Sequence, residues 1–161
     1  MSPLQDELQQ RRPFRSLEEE AALNLARTMS LLEDQSVAFL RDHGLTPSQY
    51  NVLRILRGAG DEGLGRNEIG ERMISRAPDI TRLLDRMEAA GLVHRQRSTT
   101  DRRCVPTVIT EKGRALVDAL DKPNADMQHA HFGHLTAGQL HTLIETLTQI
   151  RERITSAVAA D

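Results

Sequence analysis

Arginine side chains cluster between residues 76 and 103 of this 161-residue chain. That stretch holds seven arginines and four acidic residues, a net charge of +3, whereas the whole chain carries −2 and the remainder therefore −5. A planar guanidinium group forms forked hydrogen bonds with phosphate oxygens and with guanine. Because phosphate neutralisation dominates affinity for DNA, a local basic surface matters more than total charge. The cluster could also be an ordinary solvated face whose cations are flanked by acids.

The elements that would position these arginines favour a DNA-binding surface over an ordinary solvated face. The sequence predicts a short helix over 66–72, a turn, and a second helix over 77–90 with Pro78 in its first turn. Two strands follow, over 92–97 and 104–109, joined by a polar loop. A helix-turn-helix followed by a hairpin with a charged tip is typical of a DNA-binding module. The second helix has one apolar face, formed by Ile80, Leu83, Leu84 and Met87.

Helix starts are marked by three capping boxes, at Ser16, Thr46 and Thr136. They predict helices over 17–42, 47–57 and 136–158, and a further helix over 111–131 that Pro123 kinks. Pro106 places its strand at a sheet edge. The predicted fold class is mainly α with a small antiparallel β wing. Its parts are a flexible N-terminal arm (1–15), a dimerisation helix (16–45), a winged helix-turn-helix (46–110) and C-terminal dimerisation helices (111–161).

Composition excludes several classes of protein. Four aromatic residues and no tryptophan make a stacking platform for single-stranded nucleic acid untenable. The single cysteine, Cys104, allows neither an internal disulfide nor a paired-cysteine metal or redox motif. No signal peptide, membrane-spanning run, phosphate loop or nucleophile motif is recognisable, so we expect a cytoplasmic protein that is not an enzyme and has no cofactor or metal.

Both long terminal helices carry apolar residues at helical spacing. The first has Leu25, Leu32 and Phe39 seven residues apart. The last repeats apolar side chains at Leu140, Leu143, Ile144, Leu147, Ile150, Ile154 and Val158. These stripes could pack on each other within one chain or between two chains. We favour an isologous dimer, because the central module is too small to cover both.

The sequence resembles the MarR family of winged-helix regulators over residues 17–158. The resemblance is carried by Leu45-Thr46-Pro47-Ser48-Gln49-Tyr50, by the block from Asp79 to Glu88, and by Gly91-Leu92-Val93. Asp101-Arg102-Arg103, with the strand and Lys112-Gly113 that follow, is similar to the family's wing signature.

The resemblance implies a homodimer that binds double-stranded DNA. The helix over 77–90 would enter the major groove and the hairpin tip the minor groove. Asp79 would either accept from a cytosine amino group or cap the helix. The implied DNA-binding residues are Arg76, Ala77, Pro78, Asp79, Thr81, Arg82, Arg86, Arg97, Asp101, Arg102 and Arg103. The predicted function is a ligand-responsive repressor at a pseudo-palindromic operator; the alternative is a winged helix that binds an acidic protein partner.

The resemblance also implies a small aromatic or anionic effector, since members of the family often bind small aromatic anions. His43, Tyr50 and Arg54 are the polar residues expected near such a site. Alternatively, Tyr50 is a core residue and Arg54 a surface residue. A sensing role for Cys104, or for His129, His131 and His134, stays open, although residues 129 and 131 point to different sides of a helix.

Overall fold

The computed structural model describes residues 2–75, 78–96 and 105–158. The chain forms two compact units, Met1–Arg114 and Ala115–Asp161. Within the described residues the fold is helical apart from one small sheet. The predicted fold class is therefore confirmed.

The first unit begins with a short helix in the segment that the sequence predicts as a flexible arm. Helix α1 (Pro3–Glu7) is capped by the Ser2 hydroxyl, which accepts a hydrogen bond from the Gln5 N–H at 3.4 Å. Leu4 is buried, and Glu7 forms an ion pair of 2.6 Å with Arg27 of helix α2 (Leu17–Arg41). Part of this arm is thus structured, because a local cap and the buried side chains of Leu4 and Gln5 fix it.

Helix α3 (Pro47–Ala59) confirms the Thr46 capping box, since both of its reciprocal hydrogen bonds are present. A single 3₁₀ turn (Gly60–Glu62) follows, and then helix α4 (Arg66–Arg72). Helix α5 (Ile80–Ala89) completes the helix-turn-helix. It begins three residues later than predicted, because Asp79 is its N-cap and Pro78 lies before the cap rather than in the first turn.

The sheet consists of β1 (Val93–Arg95) and β2 (Thr107–Ile109), which are antiparallel and pair Val93 with Ile109. Both strands are shorter than predicted. On its other side β2 bonds to Leu64, whose N–H and C=O pair with those of Thr107 at 3.0 and 2.8 Å. The preceding Gly63 has φ +68°, and a Cβ there would collide with the Thr107 carbonyl oxygen. Only glycine lets the chain approach β2 so closely.

The apolar faces of α3, α4 and α5 form the core of the first unit. α3 contacts α4 and β2, while α5 contacts α4 and β1. Fully buried side chains come from each of these elements, including Leu53 and Leu56 of α3, Ile69 of α4, Leu84 and Met87 of α5, and Val93 of β1. This core fixes the orientation of α5 within the unit.

The remaining helices are α6 (Glu111–Ala119), α7 (Asp121–Phe132) and α8 (Ala137–Val158). The prediction of one kinked helix over 111–131 is wrong, because the chain forms two helices there that separate at Leu120. Pro123 explains the break: it lacks the N–H that would bond to the Ala119 carbonyl, and its ring would clash there. α8 begins at the predicted Thr136 cap, where the hydroxyl accepts from the Gln139 N–H at 3.3 Å. Across the described ranges, no helix combines the length and apolarity needed to cross a membrane.

Candidate nucleic-acid interface

Helix α5 has two chemically distinct faces. Leu83, Leu84 and Met87 are buried against the rest of the unit, as the apolar spacing predicts. Thr81, Arg82 and Arg86 lie on the exposed surface, and the Arg82 side chain is 83% accessible to solvent. A helix anchored by one face and carrying accessible guanidinium groups on the other can bind phosphate oxygens without rearranging its core.

The N-terminus of α5 is organised by Asp79. One carboxylate oxygen accepts from the Arg82 N–H at 3.0 Å, and the other lies 3.2 Å from Arg82 Nε. The capping interpretation of Asp79 is therefore the one that this geometry supports. The ion pair also restrains the Arg82 guanidinium beside the first turn of the helix.

Arg66 and Asn67 of α4 also lie at this surface, although neither was predicted from the sequence to belong to the site. Arg66 donates to the Thr81 hydroxyl at 3.4 Å, and its other nitrogens lie 3.4 Å from the Asn67 side-chain oxygen. Both residues are in the first turn of α4, where Glu68 accepts from the Gly65 N–H at 2.8 Å. The spacing of Gly65 and Glu68 marks a helix start, and it could have directed attention to a cation there.

Arg95 is placed differently from Arg82 and Arg86, although the sequence groups the three together. Its Nη1 lies 3.1 Å from Glu88 Oε2, its Nη2 lies 2.5 Å from Asp85 Oδ1, and its backbone N–H donates to Glu88 Oε1 at 2.9 Å. Its guanidinium group contacts two acids of α5 while the side chain stays 33% exposed. Arg95 thus joins β1 to α5.

Two grooves flank the exposed face of α5. One, of about 650 Å³, runs between the start of α3 and α5 and is lined by Thr46, Ser48, Asp79, Arg82 and Arg86 among others. The second, of about 490 Å³, is lined by Arg66, Asn67, Thr81, Arg95 and Val105 among others. Both grooves contain arginine and acidic side chains. Asp79 and Asp85 line the first beside Arg82 and Arg86, and Glu68 lines the second beside Arg66.

The base of the hairpin is closed where its loop leaves the sheet. The Gln96 N–H donates to the Pro106 carbonyl at 2.9 Å, beyond the last pair of the two strands. Arg76 and Ala77, and the hairpin residues Arg97, Asp101, Arg102, Arg103 and Cys104, lie outside the described residues. Their predicted roles stay predictions.

The three predicted effector residues do not form one cluster in the described contacts. Tyr50 is buried and the Arg54 guanidinium carbon lies 5.9 Å from the centre of its ring, which suits a cation–π contact. His43 instead faces Phe39, with ring centres 5.0 Å apart and Nδ1 2.9 Å from the Phe39 carbonyl oxygen. Neither groove beside α5 is lined by any of the three.

The histidines of α7 and its C-terminal turn have no metal-site geometry. Within residues 2–75, 78–96 and 105–158, no three His, Cys, Asp or Glu side chains are grouped to hold a metal ion. The His131 ring packs edge-on against Phe132, with ring centres 6.4 Å apart.

A helix-turn-helix followed directly by a two-stranded hairpin defines a winged-helix protein. The MarR family model matches residues 45–105. A MarR transcription factor from Planctomyces limnophilus is 37% identical, with a TM-score of 0.64 over 85% of this chain and 99% of that one. CouR from Rhodococcus jostii RHA1, solved bound to p-coumaroyl-CoA, is 27% identical, with a TM-score of 0.69 over 85% and 95%.

Among curated proteins, the HTH-type transcriptional regulator MhqR of Bacillus subtilis is 34% identical over 94 residues. The match covers 58% of this chain and 63% of MhqR, so it spans less than two thirds of that relative's length. The chain belongs to the MarR family of helix-turn-helix transcriptional regulators. The family membership expected from the sequence is confirmed.

Proposed function

We propose that this chain is a ligand-responsive repressor that binds double-stranded DNA as a homodimer at a pseudo-palindromic operator. The observation that carries the proposal is the division of α5 into a buried apolar face and an exposed face with Arg82 and Arg86. Such a helix fits the major groove, where its N-terminal residues would meet base edges.

In this arrangement, the residues around α5 divide into base-reading and phosphate-binding groups. Arg76, Ala77 and Pro78 precede the helix and would face base edges. Thr81, Arg82 and Arg86 would hold phosphates, and we add Arg66 because it donates to Thr81. In the hairpin, Asp101 would orient the loop while Arg97, Arg102 and Arg103 reach phosphates and the minor groove.

Homodimer formation is supported by apolar side chains that are exposed in the single chain. On α2 these include Leu25 and Met29, which are 38% and 54% exposed. On α8 they include Ile144 and Ile154, which are 60% and 57% exposed. Burying one such side chain contributes about 1.5–3 kcal/mol, so a second copy would stabilise both helices. Two half-sites on the DNA then follow from the two-fold symmetry.

An effector that releases the repressor is supported by the likeness to CouR, which was solved with an acyl-CoA ligand. We propose a small aromatic or anionic molecule. Arg54 and Tyr50 offer a cation beside an aromatic ring, and His43 could supply a further polar contact. Candidate ligands are tested by the release of a labelled duplex from the protein.

The DNA-binding proposal is tested by fluorescence anisotropy with a duplex that the wild-type protein selects from a randomised library. Neutralising six to ten phosphates predicts that affinity falls by about 10³–10⁵ between 50 and 200 mM salt. Arg82→Ala should weaken binding to all sequences and reduce the salt slope by about one. Arg103→Ala should cost about 1–3 kcal/mol if the hairpin tip reads the minor groove.

Arg27→Ala is the matched control, because it removes the same charge from an ion pair with Glu7 on another part of the unit. It should leave binding unchanged. Weak binding that ignores sequence, or equal losses in the Arg27 and Arg82 variants, would contradict a DNA reader. That result would favour the alternative, an acidic protein partner.

A further inference from the structure

Helix α5 does not carry a net positive charge. α5 carries Arg82 and Arg86, but it also carries Asp85 and Glu88, and its N-cap is Asp79. Helix and cap together therefore have a net charge of −1. Because like charges repel, a helix that enters a groove lined by phosphates must have its own carboxylates neutralised or turned away.

Arg95 meets this requirement from the neighbouring strand. Its guanidinium group reaches Asp85 and Glu88 at the same time, and its backbone N–H adds a second bond to Glu88. Arg95 itself is fixed in the sheet, where it pairs with Thr107 of β2. A cation held on the sheet is thus directed at both carboxylates of α5.

Stability of the fold is not a sufficient reason for this arrangement. The exposed fractions of the Arg95, Asp85 and Glu88 side chains are 33%, 52% and 37%. Ion pairs that stay this exposed are screened by solvent and contribute little to folding. Their charge still acts on an approaching polyanion, since the potential of a surface extends about 10 Å at moderate salt.

We propose that Arg95 is a positioning residue of the DNA-binding face, which keeps Asp85 and Glu88 paired and neutralised while Arg82 and Arg86 face the duplex. This inference rests on the proposed function. Arg95 acts through the two carboxylates and needs no contact with DNA. Its role therefore differs from that of Arg82, which would bind phosphate directly.

The test compares four full-length variants with wild type on the library-selected duplex by anisotropy. They are Arg95→Gln, the pair Asp85→Asn with Glu88→Gln, the triple combination, and Arg27→Gln as a charge-matched control. Arg95→Gln should weaken binding about tenfold or more, because two acids then face the phosphates unscreened. The Asp85/Glu88 pair should bind at least as tightly as wild type. The triple variant should recover to within about threefold of wild type, a rescue that a purely structural role does not predict.

Thermal melts by circular dichroism accompany each titration. Wild-type affinity in the Arg95→Gln variant would overturn the inference while leaving the proposed function intact. A triple variant as weak as Arg95→Gln, or a similar loss in Arg27→Gln, would also overturn it. If wild-type protein selects no duplex, the proposed function itself fails and the inference with it.

Discussion

Helices α5 and α8 carry apolar residues at the same helical spacing, but their environments are opposite. In α5, Leu84 and Met87 have 1% and 0% of their surface exposed. In α8, Leu143 and Ile144 retain 39% and 60%. The same apolar spacing therefore has two outcomes. The apolar face of α5 is buried inside its own unit, whereas the apolar stripe of α8 stays accessible to solvent.

The two helices differ equally in what they expose. α5 presents arginine on its accessible face, whereas the accessible residues of α8 include isoleucine and leucine. A cationic face suits a polyanion, and an apolar stripe suits another protein surface. The chemistry of the face left exposed, rather than the apolar pattern itself, therefore indicates the class of partner for each helix.

The largest expected effect is on the exposed stripe of α8. Ile144→Asp would occur twice in the proposed symmetric dimer, so losing about 1.5–3 kcal/mol per side chain should raise the dimer dissociation constant by about 10²–10⁴. Sedimentation velocity over a range of concentrations measures the shift. Gln149→Asp adds the same charge to an exposed position of α8 outside this stripe and should leave the dimer intact. Equal behaviour of the two variants would mean that this stripe is not the interface.

A smaller effect is expected from the buried stripe of α5. Leu84→Ala should lower the free energy of unfolding by about 2–5 kcal/mol, because it leaves a cavity in a packed core. Urea denaturation followed by circular dichroism gives the value. Arg86→Ala on the exposed face of the same helix should change stability by less than about 0.5 kcal/mol while weakening DNA binding. Similar losses of stability in both variants would remove the distinction between the two faces.

The smallest effect concerns the cap that begins α5. Asp79→Ala should destabilise the fold by about 0.5–2 kcal/mol, since the Arg82 N–H loses its acceptor. Asp79→Ser retains a capping oxygen and should preserve stability. A base-reading role would show up differently, as a change in the operator sequence selected by the Asp79→Ser protein while its stability is kept.

Features that depend on a few neighbouring residues could be predicted from the sequence. The starts of α3 and α8 agree with their capping boxes, because each box is closed by hydrogen bonds within four residues. The buried face of α5 also followed from its spacing. The same local rules placed the start of α5 wrongly, since Pro78 fits a first helical turn and Asp79 a cap, and only one arrangement can form.

Features that join distant parts of the chain could not be predicted. The pairing of Leu64 with Thr107 needs Gly63 to approach a strand far along the sequence. Of the candidate site, Arg82 and Arg86 were proposed from their helical spacing and Thr81 from the family resemblance. The contribution of Arg66 depends instead on how α4 crosses α5.

The sequence by itself determined the family, the helix-turn-helix followed by a hairpin, and the location of the basic cluster, because these depend on spacing, local capping and charge. The tertiary structure decided what Arg82 and Arg95 of that cluster contact. Arg82 is left accessible while Arg95 is held by two acids, although both belong to one basic stretch. The physical reason is that a charge acts on whatever lies within a few ångströms of it, and folding rather than sequence distance sets those neighbours.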